Sequence, residues 1–359
     1  VAATPKRGRY YAKEEVDNEQ TAAQKLRRFF LSAKFARLNL MATIFQTKEW
    51  EDFKLKTGWQ KSWRVFDVLV LEKKIPLLGS MLYSPMMSRD QTKMAMQKIF
   101  LDQIIKIAVD EKAIFYRMES ADESEGDIDP IKSGYIKAFE EMQPEHTLLI
   151  DLTKSEDDIL TQMKQKGRYN IKVAEKNEVK IENGSIEDFY KLYEAMAKRQ
   201  KITHRNIAYF QTLVDNLSAK EYVQVFVAKN SNQSSVISDP KKPDNGKRTT
   251  DNDVLASAII VFYKETCTYL FGGSSDEQRE KMAPYKLHWK IMQLAKERGC
   301  KYYDMFGIAP TDNEKHPWAG VTRFKKQFGG TEFTAIGSWD MIFSPIKYKL
   351  FKLAEKIRR

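Results

Sequence analysis

The stretch that most restricts the fold is CKYYDMFGIAPTDNEKHPWAGVTRFKKQFGG, residues 300–330. Its opening, 301–306, is aromatic-rich and reads as a short strand reaching Gly307, where the chain can turn without a Cβ clash. A polar loop follows, with Pro310, Asp312, Asn313 and Pro317 as turn formers. Residues 322–330 then set Phe324 and Phe328 among Arg323, Lys325 and Lys326, and two glycines close the segment. Upstream, 267–272 reads as a strand and 284–298 as a helix with Pro at its start and Gly299 at its end. Strand, helix, strand in that order closes a β–α–β crossover. Open α/β sheets bind ligands beyond the strands' C-terminal ends, and cations there suit anionic groups or a developing oxyanion. A solvated basic turn with both phenylalanines packed inward is the simpler alternative.

The same order of elements occurs earlier in the chain. Residues 44–58 read as a helix with Thr47 as N-cap and Gly58 as stop, which puts Trp50 and Lys54 on one face. Residues 65–71 and 77–83 read as paired strands, 89–109 as one long helix, 113–119 as a strand. An acidic loop, a helix over 131–142 and an apolar strand over 147–152 complete the first half. The second half offers a cationic helix at 155–176, helices at 186–199 and 206–217, and strands at 223–228 and 254–263. Repetition at ~150–180 residues is a domain-length spacing, so two similar α/β domains are expected. The boundaries read as 39–147, completed by 337–359, and 148–336, with a polar, mobile insert at 230–252. Residues 1–38 form a polar tail and a basic amphipathic helix at 21–37, suited to an anionic membrane surface or to docking on the protein. A second basic helix, 345–359, is expected to pack back onto the first domain.

Composition narrows the function. With 42% hydrophobic residues the chain supports packed cores, and no run approaches the ~18–20 apolar residues of a membrane span. It starts at Val1 and not at Met, as a trimmed or incomplete chain would, and its polar first segment lacks a secretory h-region. Cys267 and Cys300 fit neither a disulfide framework nor a zinc pattern, which points to a reducing cytoplasm. His146, His204, His288 and His316 lack HExxH spacing, and no GxSxG or Walker A pattern occurs, so neither a metal nor a cofactor is expected. A net charge of +11 points to nucleic acid, phosphorylated substrates or anionic lipid.

Two further constellations carry chemistry. In ITHRNIAYF, 202–210, Thr203 or His204 leads into a helix and Arg205 and Tyr209 share a face. A helix start reinforced by Arg205 suits phosphate, although an Arg–carboxylate pair beside a packed Tyr is as simple. In YLFGGSS, 269–275, alternation sends Tyr269 and Phe271 to one face, as a groove wall or as core. No nucleophile–base pair stands out. Acyl transfer from an activated ester needs only a positioned amine and a donor for the oxyanion.

Taken together, TLLIDL (147–152), MKQKGRYNIKVAEKN (163–177), ITHRNIAYF, YLFGGSS, APYKLHWKIMQLAKERGCKYYDMFGI (283–308) and HPWAGVTRFKKQFGG (316–330) resemble the Fem family of peptidoglycan bridge-forming, tRNA-dependent aminoacyltransferases. The likeness runs from about residue 45 to about 348. It implies an α/β (α+β) fold of two tandem GNAT-like acyltransferase domains with a groove between them. It also implies aminoacyl-tRNA as donor, and lipid II or UDP-muramoyl pentapeptide as acceptor, through the side-chain amine of the third stem-peptide residue. By resemblance, Arg205, Tyr209 and Lys54 hold the precursor's phosphates. Phe324 and Lys325 form the reaction centre, and Glu119 stands near the acceptor peptide where relatives place an aspartate. Tyr269 and Phe271 would wall the groove, Phe271 replacing a tyrosine of some relatives, and Phe306 interrupts a run usually richer in glycine. No coiled-coil insertion is expected. Two other readings stay open: an acyl-CoA-dependent N-acyltransferase using Gly272-Gly273-Ser274-Ser275 as its pyrophosphate loop, and a non-catalytic protein binding membrane or nucleic acid through the basic helices.

Overall fold

The computed structural model describes residues 43–123, 128–200, 203–230 and 254–358. The expected helix at 21–37 and nearly all of the polar insert lie outside these residues.

Thr47 opens the first element as its sequence predicts. Its hydroxyl accepts from the Trp50 N–H (3.2 Å) and caps α1, Lys48–Lys56, which stops before Gly58 at φ +100°. Then come β1 (Lys61–Val65), β2 (Val68–Ile75) and β3 (Gly79–Met87). Strand β1 was not expected; Phe66 and Asp67, both at positive φ, make the two-residue turn that folds it onto β2. The single helix expected over 89–109 is two, α2 (Arg89–Ala95) and α3 (Lys98–Asp110), because Gln97 takes extended backbone between them. After β4 (Ala113–Glu123), the helix expected over 131–142 is absent. A 3-10 turn at Pro130–Ser133 ends on Gly134 at φ +85°, and β5 (Ile136–Lys137) follows. Tyr135 is pulled inward there, its hydroxyl donating to the Ala95 carbonyl at 3.0 Å.

Strand β6 is His146–Asp151. The cationic helix beyond it is again split, into α4 (Glu156–Gln162) and α5 (Gln165–Lys176), with Lys164 extended between. There follow β7 (Lys180–Asn183), α6 (Ile186–Gln200), α7 (Ile207–Ser218), β8 (Val223–Lys229), β9 (Val254–Tyr263) and β10 (Thr266–Ser274). The chain closes with α8 (Ala283–Glu297), β11 (Tyr302–Gly307), α9 (Ala319–Lys325), β12 (Thr331–Ile342) and α10 (Pro345–Arg358).

Among the described residues these strands form one sheet in the order β1-β2-β3-β4-β12-β6-β11-β10-β9-β8-β7, with β5 against β12. Two of its pairs are parallel, β3 with β4 and β10 with β11. Each is joined by a helical crossover, through α2 and α3 in one case and α8 in the other, so the repeated order is a repeated topology. The unexpected element is β12. Its first residues, Thr331 to Thr334, pair with β6, and Ala335 to Ile342 pair with β4. The two strand sets therefore meet in the sheet only through β12, and we propose on that ground the two domains expected from the sequence. Helix α10 lies against β4, Tyr348 and Phe351 each 5.3 Å from the Phe115 ring. A core shared by both halves, with Trp50, Phe53, Phe115, Phe189, Phe210 and Ile259, holds α1 beside α6 and α7.

Candidate functional site

Asn206 fixes the first part of the site. Its side-chain oxygen accepts from the Tyr209 N–H (3.0 Å), so Asn206 caps α7, rather than Thr203 or His204, and Arg205 stands just outside the helix. The expected pairing is there: the Arg205 guanidinium overlies the Tyr209 ring at 5.0 Å. Both line a cleft of about 490 Å³ with Lys56, Thr57, His204 and Asn206. Tyr209 meets Phe53 of α1 edge-on at 5.0 Å, which brings α1 and α7 together.

On α1, Lys54 is buried, with its Nζ 5.5–5.6 Å from the ring centroids of Trp50, Phe53 and Trp59. Burial, with Arg205 and Lys73 close by, lowers its pKa to about 7, while Glu119 acts the other way. Lys54 and Arg205 thus share one electrostatic neighbourhood. The Trp50 indole N–H is buried in the same wall with no acceptor among the described residues.

Glu119 is fully buried. It accepts from the Tyr83 hydroxyl, the Ser338 hydroxyl (2.7 Å), and the N–H groups of Met142 (2.7 Å) and Gln143 (3.1 Å). Burial raises its pKa despite these bonds. The carboxylate joins β4, β12 and the turn before β6, and reaches Lys54 through its field.

The second part of the site is built where β11 ends. A register shift between Asp304 and Gly307 puts Phe306 at φ +58°, and the two carbonyls that follow turn toward α9. The buried Lys325 donates to both, Gly307 O at 2.6 Å and Phe306 O at 3.3 Å. Burial lowers its pKa to about 8, with Asp304 acting the other way. Lys325 Nζ lies 5.5 Å from the Tyr269 centroid, and Tyr269 is edge-on to His288 at 4.5 Å. Phe324 closes the cluster, 5.5 Å from His288 and 5.1 Å from Tyr285. His288 is neutral, its pKa lowered to about 3 by burial and by Lys325, and its Nδ1 pairs with the Tyr303 hydroxyl at 2.7 Å.

Tyr269 and Phe271 do not share a face. A β-bulge sets Tyr269 opposite Ile260 and Phe271 opposite Ile259, so Leu270 is the extra residue and alternation is broken. Tyr269 joins Lys325, while Phe271 packs on Phe210 at 5.1 Å, beneath Tyr209. The Gly272-Gly273 pair is not a loop either, since both residues belong to β10. A Cβ on Gly272 would strike the Tyr269 hydroxyl, and one on Gly273 would meet the backbone of Leu192 and Tyr193 at 2.9 Å.

The two parts are connected. Phe306 stacks on Phe45 at 6.3 Å, and Phe45 meets Trp50 edge-on at 4.5 Å. The residue whose carbonyl holds Lys325 is thus two rings from Lys54. Sequence reasoning passed over Asp304 and Phe45. An acid inside the apolar run YYDMF was the available signal, because a buried carboxylate needs partners. Asp304 has them in the Thr147 hydroxyl and the Phe306 N–H (2.8 Å).

A mixed α/β sheet thus sets one buried ammonium at a strand end and another beside a basic cleft. Residues 133–234 and 230–356 match the model of the FemAB family. The chain is similar to the lipid II:glycine glycyltransferase of Staphylococcus haemolyticus, 22% identical over 386 positions that cover 89% of this chain and 92% of that one. Its fold is similar to the crystal structure of FemX, with a TM-score of 0.70 at 21% identity, covering 86% of this chain and 94% of that one. A putative lysylphosphatidylglycerol synthetase from Agrobacterium fabrum has a C-terminal domain that is more distantly alike, with a TM-score of 0.52 at 12% identity, covering 86% and 97%. The chain belongs to the FemAB family and is an aminoacyltransferase of peptidoglycan biosynthesis.

Proposed function

We propose that the protein moves an amino acid from aminoacyl-tRNA to the side-chain amine of the third stem-peptide residue of a peptidoglycan precursor, lipid II or its UDP-linked counterpart. The observation that carries this reading is the aromatic path Trp50–Phe45–Phe306, which links Lys54, in the field of Arg205 at the cleft, to the carbonyls that hold Lys325. Phosphates would offset the mutual repulsion of Lys54 and Arg205, and a ligand oxygen would satisfy the Trp50 N–H. The acceptor peptide would then run along the aromatic path toward Lys325. There its amine attacks the ester carbonyl of the charged tRNA. Two of the three Lys325 N–H bonds are taken by Phe306 and Gly307, which leaves the third for the oxyanion. Collapse expels the tRNA ribose oxygen, which leaves with the proton the amine gives up, and an amide is formed. In this reading Phe324 orients the ester, Tyr269 and Phe271 support the two sides of the channel, and Glu119 stabilises charged Lys54 while holding the 142–143 turn. Glycine is the donor residue that the name of the staphylococcal relative favours.

We place the protein in the cytoplasm, touching the inner face of the membrane where a lipid-linked acceptor is presented. Among the described residues no helix is long and apolar enough to cross a membrane. An acyl-CoA donor is disfavoured because Gly272 and Gly273 are packed within β10, which removes the loop that reading named for the pyrophosphate.

The test is transfer of labelled glycine from charged tRNA to purified lipid II or UDP-linked precursor, with labelled acetyl-CoA as the parallel donor. Label in the stem peptide from tRNA alone is the expected result. Label from acetyl-CoA alone would overturn the reading.

A further inference from the structure

The two sides of α10 meet different fates. Tyr348 and Phe351 are buried against Phe115 and Phe139. On the other side Ile346, Leu350, Leu353 and Ile357 are 77%, 50%, 56% and 77% exposed. Their steps of four, three and four residues confine them to a stripe about 60° wide on a helix. Lys347, Lys349 and Lys356 are exposed beside it, Lys352 turns toward the Phe139 and Tyr348 rings of the packed side, and Glu355 is the only acid of the element.

Four large aliphatics in one ridge are not the scattered apolar residues of an ordinary surface. A ridge of this kind bordered by ammonium groups matches a lipid interface, whose acyl region takes the side chains while its phosphates meet the lysines. Nucleic acid would engage the cations and gain nothing from the ridge. A second copy of the chain would bring the same positive charge to the contact. We propose that α10 is the surface by which the protein lies on an anionic membrane. This deepens the membrane contact proposed above, and the binding itself needs no precursor.

The experiment is co-sedimentation of the full chain with vesicles of phosphatidylcholine alone or mixed with phosphatidylglycerol, with no precursor present. Leu350→Glu/Leu353→Glu is expected to cut partition onto the anionic vesicles about tenfold or more, with transfer to the soluble UDP-linked acceptor unchanged. Lys349→Glu/Lys356→Glu should remove most of the preference for anionic over neutral vesicles. The proposal is overturned if the leucine variant still binds anionic vesicles like the native chain. It is also overturned if that variant turns a dimer into a monomer, or loses thermal stability, since the ridge would then be covered by protein. Loss of tRNA binding in the lysine variant, with vesicle binding intact, would overturn it in favour of nucleic acid. Vesicle binding through α10 in a protein that transfers nothing would keep this surface and reject the transfer reading.

Discussion

Lys54 and Lys325 are both buried cations, but they are held differently, and pH separates them. Lys325 donates to two carbonyls and titrates near 8, so it is charged at neutral pH and loses its charge as pH rises through about 8. Turnover should fall along that alkaline limb. Lys325→Met should lower kcat by about 10²–10³-fold with KM little changed, because the charge is needed only as the oxyanion forms. Equal losses in kcat and in precursor affinity would make Lys325 a ground-state contact instead. Lys54 lies among rings with its pKa lowered to about 7 from 10.5. Below about pH 7 the native state must bury a charge that the unfolded chain keeps in water; the penalty shrinks as pH rises from about 7 toward 10.5. Lys54→Met should therefore stabilise the fold by a few kcal/mol, on the order of the shift, in urea titrations at pH 6 and hardly at all near pH 10. The same variant should bind precursor weakly at both pH values. This residue scale was the most legible in the sequence. Thr47 as a cap and the spacings of Trp50 with Lys54 and of Arg205 with Tyr209 follow from helix geometry alone. Asp304 was not legible as a site residue, because its importance comes from Lys325 approaching across the fold.

At the scale of elements, helix α9 carries Lys325 and is fastened at its end by two glycines. Gly329, at φ +75°, would place a Cβ 2.5 Å from the Gln162 carbonyl; Gly330, at φ +87°, would place one 2.6 Å from that of Leu149. Neither the strain nor the clash can be relieved without moving backbone. Gly329→Ala should cost about 1–3 kcal/mol in thermal or urea unfolding and lower turnover, since α9 must shift to make room. Full activity at native stability would mean the end of α9 is slack. The glycine pair was read from sequence as the end of its segment, but the helix before it was not, being only Ala319–Lys325. Three errors of this scale share one cause: a single residue out of phase. Extended Gln97 and Lys164 each split a helix whose composition is uniform across the break. Leu270 adds one residue to β10 and sends Tyr269 and Phe271 to opposite faces, which a period of two cannot reveal.

At the scale of the molecule, β12 joins the halves, and a buried ion pair locks it. Arg117 of β4 donates Nε and Nη2 to the Asp340 carboxylate, both at 2.7 Å, and the Tyr348 hydroxyl donates to the same group at 2.6 Å. Asp340→Ala would leave the buried guanidinium with the more distant Glu140, at 3.5 Å, and the field of Glu119. A loss of about 3–5 kcal/mol is expected by urea denaturation, with both halves failing in one transition because they share a strand. Two separated transitions would show that each half stands by itself. The crossover β10–α8–β11 and the repeated order were legible because Pro, Gly and the apolar runs mark their ends. The shared strand was not, since TEFTAIGSWDMI alternates poorly around Gly337 and owes its conformation to partners some 200 residues away, β4 and β6.

Strand β12 also sets a schedule for synthesis. Strands β4 and β6 leave the ribosome long before residues 331–342 have been polymerised, and until then each has at least one margin of bare amides and carbonyls beside apolar side chains. Such margins recruit other nascent chains. A chain cut before residue 331 is therefore expected to associate with other copies through those margins, which β12 seals in the complete sheet.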